Sequence, residues 1–303
     1  MHRQHILTSL IDPQGLGLEV GPSHNPVAAK ANGFNVRVVD HLSQAELRSK
    51  YEGHNVNIDN IEEVDFIWRG EPLEQILDTT ERYDWIIASH VIEHMQDPIR
   101  FIRSCQKVLK PEGILSLAIP DKRYCLDYLR PPSSTGCVLQ AYLEERKRHT
   151  PGQIFDSFSF AAKVEDSISW DPETEGSVDF LHAHGLAGLM LQNYLESSDY
   201  VDVHGWVFTP SSFRLIIGDL NALGYLNIRE AQFVPTIGCE FFVSFANAPP
   251  LGLPNRLELA ELAREEAFQP RVSSRSQAPT GAKLERERSW VRDLPGWLRQ
   301  DPQ

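Results

Sequence analysis

Three side chains that can carry a proton lie close together in the segment Ser89–Pro98: His90, Glu93 and His94. They directly follow the apolar run Trp85–Ala88, which is typical of a strand buried on both faces of a parallel sheet. Because the pKa of imidazole lies nearest to neutral pH, a histidine here is suited to act as a general base. The other histidines considered for that role are His182, His184 and His204.

A helix and a second buried strand follow these candidates. The apolar stripe that begins at Ile99 predicts the helix, the break Pro111–Gly113 ends it, and Ile114–Ile119 is the predicted strand. Ligands of open α/β sheets bind at the carboxyl ends of the strands, and His90 and Asp121 both fall at such ends. Asp121 is therefore a further candidate, either to orient a histidine or to take the proton.

Two earlier strand ends carry residues that suit a nucleotide-type cofactor. Gly17–Val20 is predicted as the first strand, and Gly21 follows it. A glycine at this place lets the backbone approach a ligand closely. Val36–Val39 is predicted as the second strand and ends in Asp40, an acidic residue in the position that accepts hydrogen bonds from ribose hydroxyls.

The composition argues against several classes of protein. The 303 residues carry a formal net charge of −13, which argues against a surface that coats nucleic acid. The four cysteines are scattered without a CxxC spacing. No apolar run approaches the roughly 18 residues of a membrane span, and the amino terminus lacks the apolar core of a signal peptide. We expect a cytoplasmic protein with no nucleic-acid partner and no integral membrane segment.

The segment His90–His94 also matches H-x-x-E-H, a zinc-peptidase signature in which one helix holds both histidines. Here the first histidine directly follows a buried strand, and Asp97 and Pro98 mark a break in the chain a few residues later. A long helix around the motif is therefore not expected. We predict no metal site, and the sequence leaves open whether the reaction uses a metal.

The order of these elements resembles that of class I S-adenosylmethionine-dependent methyltransferases over roughly residues 15–247. The motif SHVIEHMQDP (89–98) followed by VLKPEG (108–113) looks like the group that includes ubiquinone and menaquinone biosynthesis enzymes. Three further segments are similar to bacterial methyltransferases associated with cell-surface polysaccharide and glycolipid assembly: IPDKRYCLDYLRPPS (119–133), HGWVFTPSSFRLIIGDLNALG (204–224) and GCEFF (238–242).

The resemblance implies an α/β fold: a seven-stranded, Rossmann-like, doubly wound sheet with an antiparallel closing strand and a lid insertion before the last helix. We expect residues 1–250 to form this domain, with residues 121–205 as the lid. Residues 251–303 are expected to form a helical and flexible carboxyl-terminal tail.

The resemblance also implies where the cofactor, S-adenosylmethionine, is held. The implied positions are Glu19, Gly21 and Pro22 close to the methionine part, Asp40 at the ribose hydroxyls, Asp65 and Phe66 at the adenine, and Ser89 and His90 near the methionine part or the transferred methyl. The family often carries three glycines in its first motif, ExGxGxG. Only Gly21 remains of them in this sequence.

The expected activity is methylation of an oxygen of a saccharide: a polysaccharide, a glycolipid or a nucleotide sugar. The candidate catalytic residues are His94, His90, Asp121 and His184. One alternative is methylation of a small lipid or a quinone-like phenol, and another is a cofactor-binding scaffold without turnover. Association with glycosyltransferases is expected from the resemblance to the polysaccharide-assembly group.

Overall fold

The computed structural model describes residues 3–54, 56–252 and 254–268. Its strands are β1 (Gly17–Val20), β2 (Val36–Asp40), β3 (Phe66–Ile67), β4 (Tyr83–Ser89), β5 (Leu109–Pro120), β6 (Ala162–Val164), β7 (Val178–Phe180), β8 (Arg229–Ile237) and β9 (Glu240–Ala246). Its α-helices are α1 (Arg3–Thr8), α2 (Gln44–Tyr51), α3 (Leu73–Ile76), α4 (Pro98–Val108), α5 (Thr135–Leu143), α6 (Pro151–Ser159), α7 (His184–Glu196), α8 (Pro210–Ala222) and α9 (Arg256–Ala267).

Seven of the strands form one sheet in the order β3-β2-β1-β4-β5-β9-β8. Strands β1 to β5 are mutually parallel, and β9 runs antiparallel to both of its neighbours. The predicted fold class is confirmed, including the antiparallel closing strand. The strand order reverses between β1 and β4, so the carboxyl ends of these two strands border the crevice where such sheets bind ligands.

The central strand β4 is held in place by apolar packing on both faces. The side chain of Trp85 lies over Gly17 of β1, where a Cβ atom would come within 2.1 Å of the indole ring. Ile86 and Ile87 are fully buried on opposite faces of the sheet. This packing fixes where β4 ends relative to its neighbouring strands. It therefore also fixes the position of the polar segment that follows.

Helix α4 begins where the sequence changes from polar to apolar. The side chain of Asp97 accepts a hydrogen bond from the backbone of Arg100, and Pro98 occupies the first helical turn. Ile99 and Ile102 are buried against the sheet. The segment between β4 and α4 is therefore anchored at both ends, and its residues Ile92–His94 form a single 3₁₀ turn.

Helix α8 begins at Pro210 with a capping box. The cap is Thr209, whose side chain accepts a hydrogen bond from Ser212 N, while the Ser212 hydroxyl accepts one from Thr209 N. Pro210 suits the first helical position and leaves the residue before it as the cap.

The insertion between β5 and α8 contains α5, α6, the β6–β7 hairpin and α7. Its two ends run side by side, because Lys122 N donates to Phe208 O at 2.9 Å and Ser133 N donates to Val207 O at 2.8 Å. The returning chain also contacts the 3₁₀ turn after β4, where Trp206 N donates to Glu93 O at 3.1 Å. Residues 202–206 are thereby brought next to the end of β4.

Helix α9, at the start of the predicted tail, packs on α8. The hydroxyl and the backbone N–H of Ser211 both donate to Glu266, and Arg256 pairs with Asp219 at 2.6 Å. The rest of the predicted tail lies outside the described residues.

Candidate functional site

The loop after β1 is shaped by one glycine and one buried carboxylate. Gly21 has φ +66°, and a Cβ atom there would meet Val91 Cγ2 at 3.0 Å. The carboxylate of Glu19 accepts hydrogen bonds from Val27 N at 2.6 Å and from Ala28 N at 3.0 Å. Burial raises the pKa of Glu19 to about 7, although these two bonds act in the opposite direction. Both oxygens of Glu19 thus hold the loop in its conformation.

Asp40, at the end of β2, ties that strand to the same loop. Its buried carboxylate accepts a hydrogen bond from Ser23 N at 2.9 Å and one from His41 N at 2.7 Å. In the loop itself, Ser23 Oγ and His24 Nδ1 are buried without a hydrogen-bond partner among the residues that the structure describes. Buried polar atoms of this kind normally have partners, so the loop offers two groups that a polar ligand would satisfy.

Ser89 and His90 lie at the end of β4, as predicted, but their side chains join an ion-pair network. His90 has φ +54°, and its Nε2 lies 2.8 Å from a carboxylate oxygen of Glu240. Arg3 Nε donates to the other oxygen of Glu240 at 2.6 Å, and Arg3 also donates to Ser89 Oγ. Burial alone would raise the pKa of Glu240, but His90 and Arg3 lower it below its ordinary value. This network ties the end of β4 to the start of β9.

Asp65 and Phe66 lie at the β2–β3 edge of the sheet. The carboxylate of Asp65 is bound by Lys30 at 2.7 Å, by Arg37 at 2.8 Å and by the backbone of Val38 at 2.8 Å. These bonds hold the pKa of Asp65 below its usual value against the effect of burial. They occupy the carboxylate and anchor β3, so a role for Asp65 or Phe66 at the adenine stays a prediction.

A second polar centre, which we call the histidine cluster, consists of Glu93, His94, Asp127, Asp202 and His204. His94 Nδ1 lies 2.9 Å from Asp202 Oδ1, and His204 Nδ1 lies 2.5 Å from Asp127 Oδ2. The two imidazole rings meet edge to face, with 4.7 Å between their centroids. Glu93 is 0% exposed, and neither of its carboxylate oxygens accepts a hydrogen bond from any described residue.

Opposite charges shift the pKa values within the histidine cluster. Burial by itself would raise the pKa of Asp127, but His204 and Arg130 lower it to about 2. Arg130 donates to Asp127 Oδ1 at 2.5 Å and to the carbonyl of His204 at 2.7 Å. Burial would lower the pKa of His94, but the carboxylates of Asp202, Glu93 and Asp127 raise it above its ordinary value. His94 therefore gains basicity from its surroundings.

His149 is packed beneath the segment that carries Asp202 and His204. Neither of its ring nitrogens has a hydrogen-bond partner in the described part of the chain, and burial lowers its pKa to about 4. A Cβ atom at Gly205 would lie 2.5 Å from His149 Nδ1, so a glycine is needed for this close approach. A neutral, buried His149 supports the chain that presents His204.

Two of the candidate catalytic residues have other roles in the structure. Asp121 is fully buried, forms a two-pronged ion pair with Arg123 and accepts a hydrogen bond from Thr236 at 2.5 Å. His184 begins α7 and contacts Ser159 of α6, with 3.5 Å between His184 Nδ1 and Ser159 Oγ. Asp121 anchors the end of β5 and His184 begins a helix of the insertion, so a catalytic role for either residue stays a prediction.

Sequence reasoning missed Asp127, Asp202 and His149. Asp127 and Arg130 lie inside the segment 119–133, which was used for the family resemblance without a role for these two residues. Asp202 and His149 stand in polar stretches with no local pattern to mark them. What brings them together is the return of the chain from the insertion.

A parallel sheet in which a glycine loop after β1 meets an acidic end of β2 defines an α/β domain that binds a nucleotide-type cofactor. Residues 5–214 match the family described as Methyltransferase domain, and the chain belongs to this family.

Known relatives match short segments of the chain. The mitochondrial ubiquinone biosynthesis O-methyltransferase of Bos taurus is 37% identical over 70 residues, which are 23% of this chain and 19% of that protein. The ubiquinone biosynthesis O-methyltransferase of Caulobacter vibrioides is 39% identical over 56 residues, 18% of this chain and 22% of that one. The chain thus spans about a fifth of the length of these relatives.

Among solved structures, a SAM-dependent methyltransferase from Methanosarcina mazei aligns with a TM-score of 0.40 at 13% identity. The alignment covers 82% of this chain and 99% of that one. Across the described residues, no helix is both long enough and apolar enough to cross a membrane.

The residues at the β1 and β2 ends fit S-adenosylmethionine. Gly21 keeps the loop free of a side chain beside Val91, and the buried Ser23 Oγ and His24 Nδ1 need polar partners. The cofactor carries an amino acid part and a ribose, which are rich in such partners. Asp40 stands at the strand end that suits the ribose hydroxyls.

Proposed function

We propose that this protein methylates a hydroxyl oxygen of a saccharide, with His94 as the general base. One observation carries this proposal. His94 Nδ1 lies at an ion-pair distance of 2.9 Å from Asp202 Oδ1, and the ring lies next to the buried Glu93. A base that is fixed by a carboxylate on one ring nitrogen can use the other nitrogen for proton transfer, as in a Ser-His-Asp triad.

The cofactor side of the site is assigned to the first two strand ends. Gly21, Pro22 and Ser23 of the loop, together with Asp40, would hold S-adenosylmethionine, and Glu19 would position the loop through Val27 and Ala28. The cofactor supplies an electrophilic methyl group on a sulfonium, which a nucleophile displaces in line. Alignment of the acceptor oxygen with that methyl group is therefore a main source of rate.

The acceptor side of the site is assigned to the histidine cluster. Transfer forms an oxygen–carbon bond, breaks the sulfur–carbon bond and releases one proton from the hydroxyl. His94 Nε2 takes this proton, and Asp202 and Glu93 stabilise the imidazolium that results, because both carboxylates lie within 4 Å of its ring nitrogens. The side chain of His94 is 25% exposed, so an acceptor can reach it from solvent.

A saccharide is proposed because the cluster that would receive the acceptor is polar, and because segments 119–133 and 204–224 resemble those of polysaccharide-assembly enzymes. A second candidate is a quinone-like phenol, which is favoured by the similarity to ubiquinone biosynthesis O-methyltransferases. A phenol has a pKa of about 10, well below that of a sugar hydroxyl, and so depends less on a base. Loss of His94 should therefore harm sugar methylation more than phenol methylation.

Three further parts of this proposal rest on the sequence. They are the function of residues 121–205 as a lid on a domain of residues 1–250, a cytoplasmic location and association with glycosyltransferases.

The test begins with calorimetric titration of the purified full chain with S-adenosylhomocysteine. Methyl transfer from labelled S-adenosylmethionine is then measured toward nucleotide sugars, oligosaccharides and catechols, with wild type and His94→Ala in parallel. Transfer to a sugar hydroxyl that falls strongly in His94→Ala supports the proposal. Transfer to catechols alone would favour the phenol candidate, and tight cofactor binding without transfer to any acceptor would favour a scaffold.

A further inference from the structure

We propose that Glu93, His94 and His204 form a binding site for one divalent transition-metal ion of the zinc class. The potential ligand atoms of these three residues all lie within 4.8 Å of one another. Ligands that bind zinc at about 2.0–2.1 Å in a tetrahedral arrangement lie roughly 3.3 Å apart. The distance from Glu93 Oε1 to His94 Nε2 is 3.8 Å, so small side-chain movements would close the site.

The unpaired carboxylate of Glu93 is an independent observation that points to a cation. Glu93 is 0% exposed, and its nearest basic atoms are His90 Nδ1 at 3.7 Å and His94 Nε2 at 3.8 Å, both beyond hydrogen-bond distance. A buried carboxylate without hydrogen bonds is costly unless a cation compensates it. A metal ion bound by Glu93 would supply that compensation.

The orientation of the two histidines also favours metal binding. His94 Nδ1 faces Asp202, and His204 Nδ1 faces Asp127, which leaves the Nε2 atoms of both rings for a metal. Metal-binding histidines usually donate their other ring N–H to a carboxylate or a carbonyl, which fixes the tautomer and raises the ligand's basicity. Arg130 in turn holds Asp127 in place.

The charge of the cluster fits a dication. The three carboxylates of Glu93, Asp127 and Asp202 face one guanidinium, that of Arg130, which leaves two negative charges when both imidazoles are neutral. Two imidazole nitrogens and one carboxylate oxygen suit zinc and its neighbours better than magnesium or calcium, which prefer oxygen ligands alone.

The inferred site differs from the H-x-x-E-H arrangement of zinc peptidases. His90 pairs through its Nε2 with Glu240 at 2.8 Å, and Glu93 and His94 lie on a 3₁₀ turn instead of a long helix. The second histidine ligand is His204, which comes from the far end of the insertion. Such a site depends on the tertiary fold, and the local sequence pattern does not contain it.

A catalytic use of this ion rests on the proposed function, whereas binding itself does not. The side chains of His94 and His204 are 25% and 14% exposed, so a fourth coordination position would open toward solvent. An acceptor hydroxyl bound there would have a lowered pKa and would release its proton to solvent. In the metal-bound protein the ion would then replace His94 as the activating group.

The test is calorimetric titration of the chelator-treated full chain with Zn²⁺, with Co²⁺ absorption as a second readout of coordination. Wild type should bind one equivalent with micromolar or tighter affinity. Glu93→Gln and His204→Ala should each weaken binding at least tenfold and alter the Co²⁺ spectrum. His5→Ala removes an exposed histidine of α1 and should bind Zn²⁺ like wild type.

Titration of every variant with S-adenosylhomocysteine separates loss of the metal site from loss of the fold. Wild type that binds S-adenosylhomocysteine but no Zn²⁺ would overturn the metal site and leave the proposed function intact. Equal Zn²⁺ affinity in wild type, Glu93→Gln and His204→Ala would also overturn it. Specific Zn²⁺ binding in a protein that methylates no hydroxyl would overturn the proposed function and leave the metal site standing.

Discussion

Substitution of Gly21 by alanine tests whether the loop after β1 holds the cofactor, and Gly33 provides a matched control. Both glycines have a positive φ, +66° at Gly21 and +86° at Gly33. A Cβ atom at Gly21 would meet Val91 Cγ2 at 3.0 Å, whereas one at Gly33 would meet no atom within 4 Å. The two variants therefore share the backbone strain and differ in the steric contact.

The expected magnitudes follow from these two terms. An alanine in the left-handed region costs about 1–2 kcal/mol, of which about 0.4–1 kcal/mol is offset by the reduced entropy of the unfolded chain. Gly33→Ala should therefore lower the free energy of unfolding by about 1 kcal/mol. Gly21→Ala should lower it by roughly 2–3 kcal/mol, because the contact with Val91 adds to the strain.

The decisive measurement is the affinity for S-adenosylhomocysteine by calorimetry, under conditions in which all variants are folded. Gly21→Ala should bind at least tenfold more weakly, a loss of about 1.4 kcal/mol, and Gly33→Ala should bind like wild type. The double variant Gly21→Ala/Val91→Ala should recover part of the loss, since it removes the opposing methyl group. Wild-type affinity in Gly21→Ala, or equal losses in both alanine variants, would refute a cofactor cradle at this loop.

Three further predictions concern the strand ends. Asp40→Ala should weaken S-adenosylhomocysteine binding by about 1–3 kcal/mol, because the ribose hydroxyls lose their acceptor; an unchanged calorimetric titration would remove Asp40 from the site. His94→Ala should lower kcat strongly while the Kd for S-adenosylhomocysteine stays within about twofold, since a lost base affects turnover more than cofactor binding; unaltered kcat would make His94 structural. Glu19 has its pKa raised from 4.5 to about 7, so its contribution to stability is present below pH 4.5 and is lost as the pH rises to about 7. That shift corresponds to at most about 3 kcal/mol in the free energy of unfolding. Urea unfolding between about pH 4.5 and 7 should show this pH dependence in wild type and should not show it in Glu19→Gln. Equal slopes of the unfolding free energy against pH in the two proteins would contradict the prediction.

Much of the fold could be predicted because its central elements carry strong local signals. The apolar run of β4, the Asp97–Pro98 start of α4 and the glycine after β1 each correspond to an observed element boundary. The edge strand was less predictable. In β3 only Phe66 and Ile67 pair, with Val39 and Asp40 of β2.

The candidate site could be predicted at the ends of strands and, as single residues without their partners, at His94 and His204. Glu19, Asp40 and His90 follow from strand order, since parallel strands end at the same edge of the sheet. The histidine cluster instead joins residues far apart in the chain: Asp127 and His204 are separated by 77 positions. No periodicity or spacing encodes that contact, because it depends on how residues 121–209 fold back onto the sheet.

The short segment after β4 links the two halves of the site. Val91 lies against Gly21 of the cofactor loop, and Glu93 and His94 belong to the histidine cluster. Ile92 between them is buried in the core, and Trp206 N binds the carbonyl of Glu93, so main-chain bonds and packing hold this segment in place. A methyl donor and an acceptor held by one short, anchored segment have little freedom to move apart, and such restriction favours in-line transfer. In the proposed function, the loop sequence at residues 91–94 would therefore constrain both cofactor binding and acceptor activation, even though neither function alone would require all four residues.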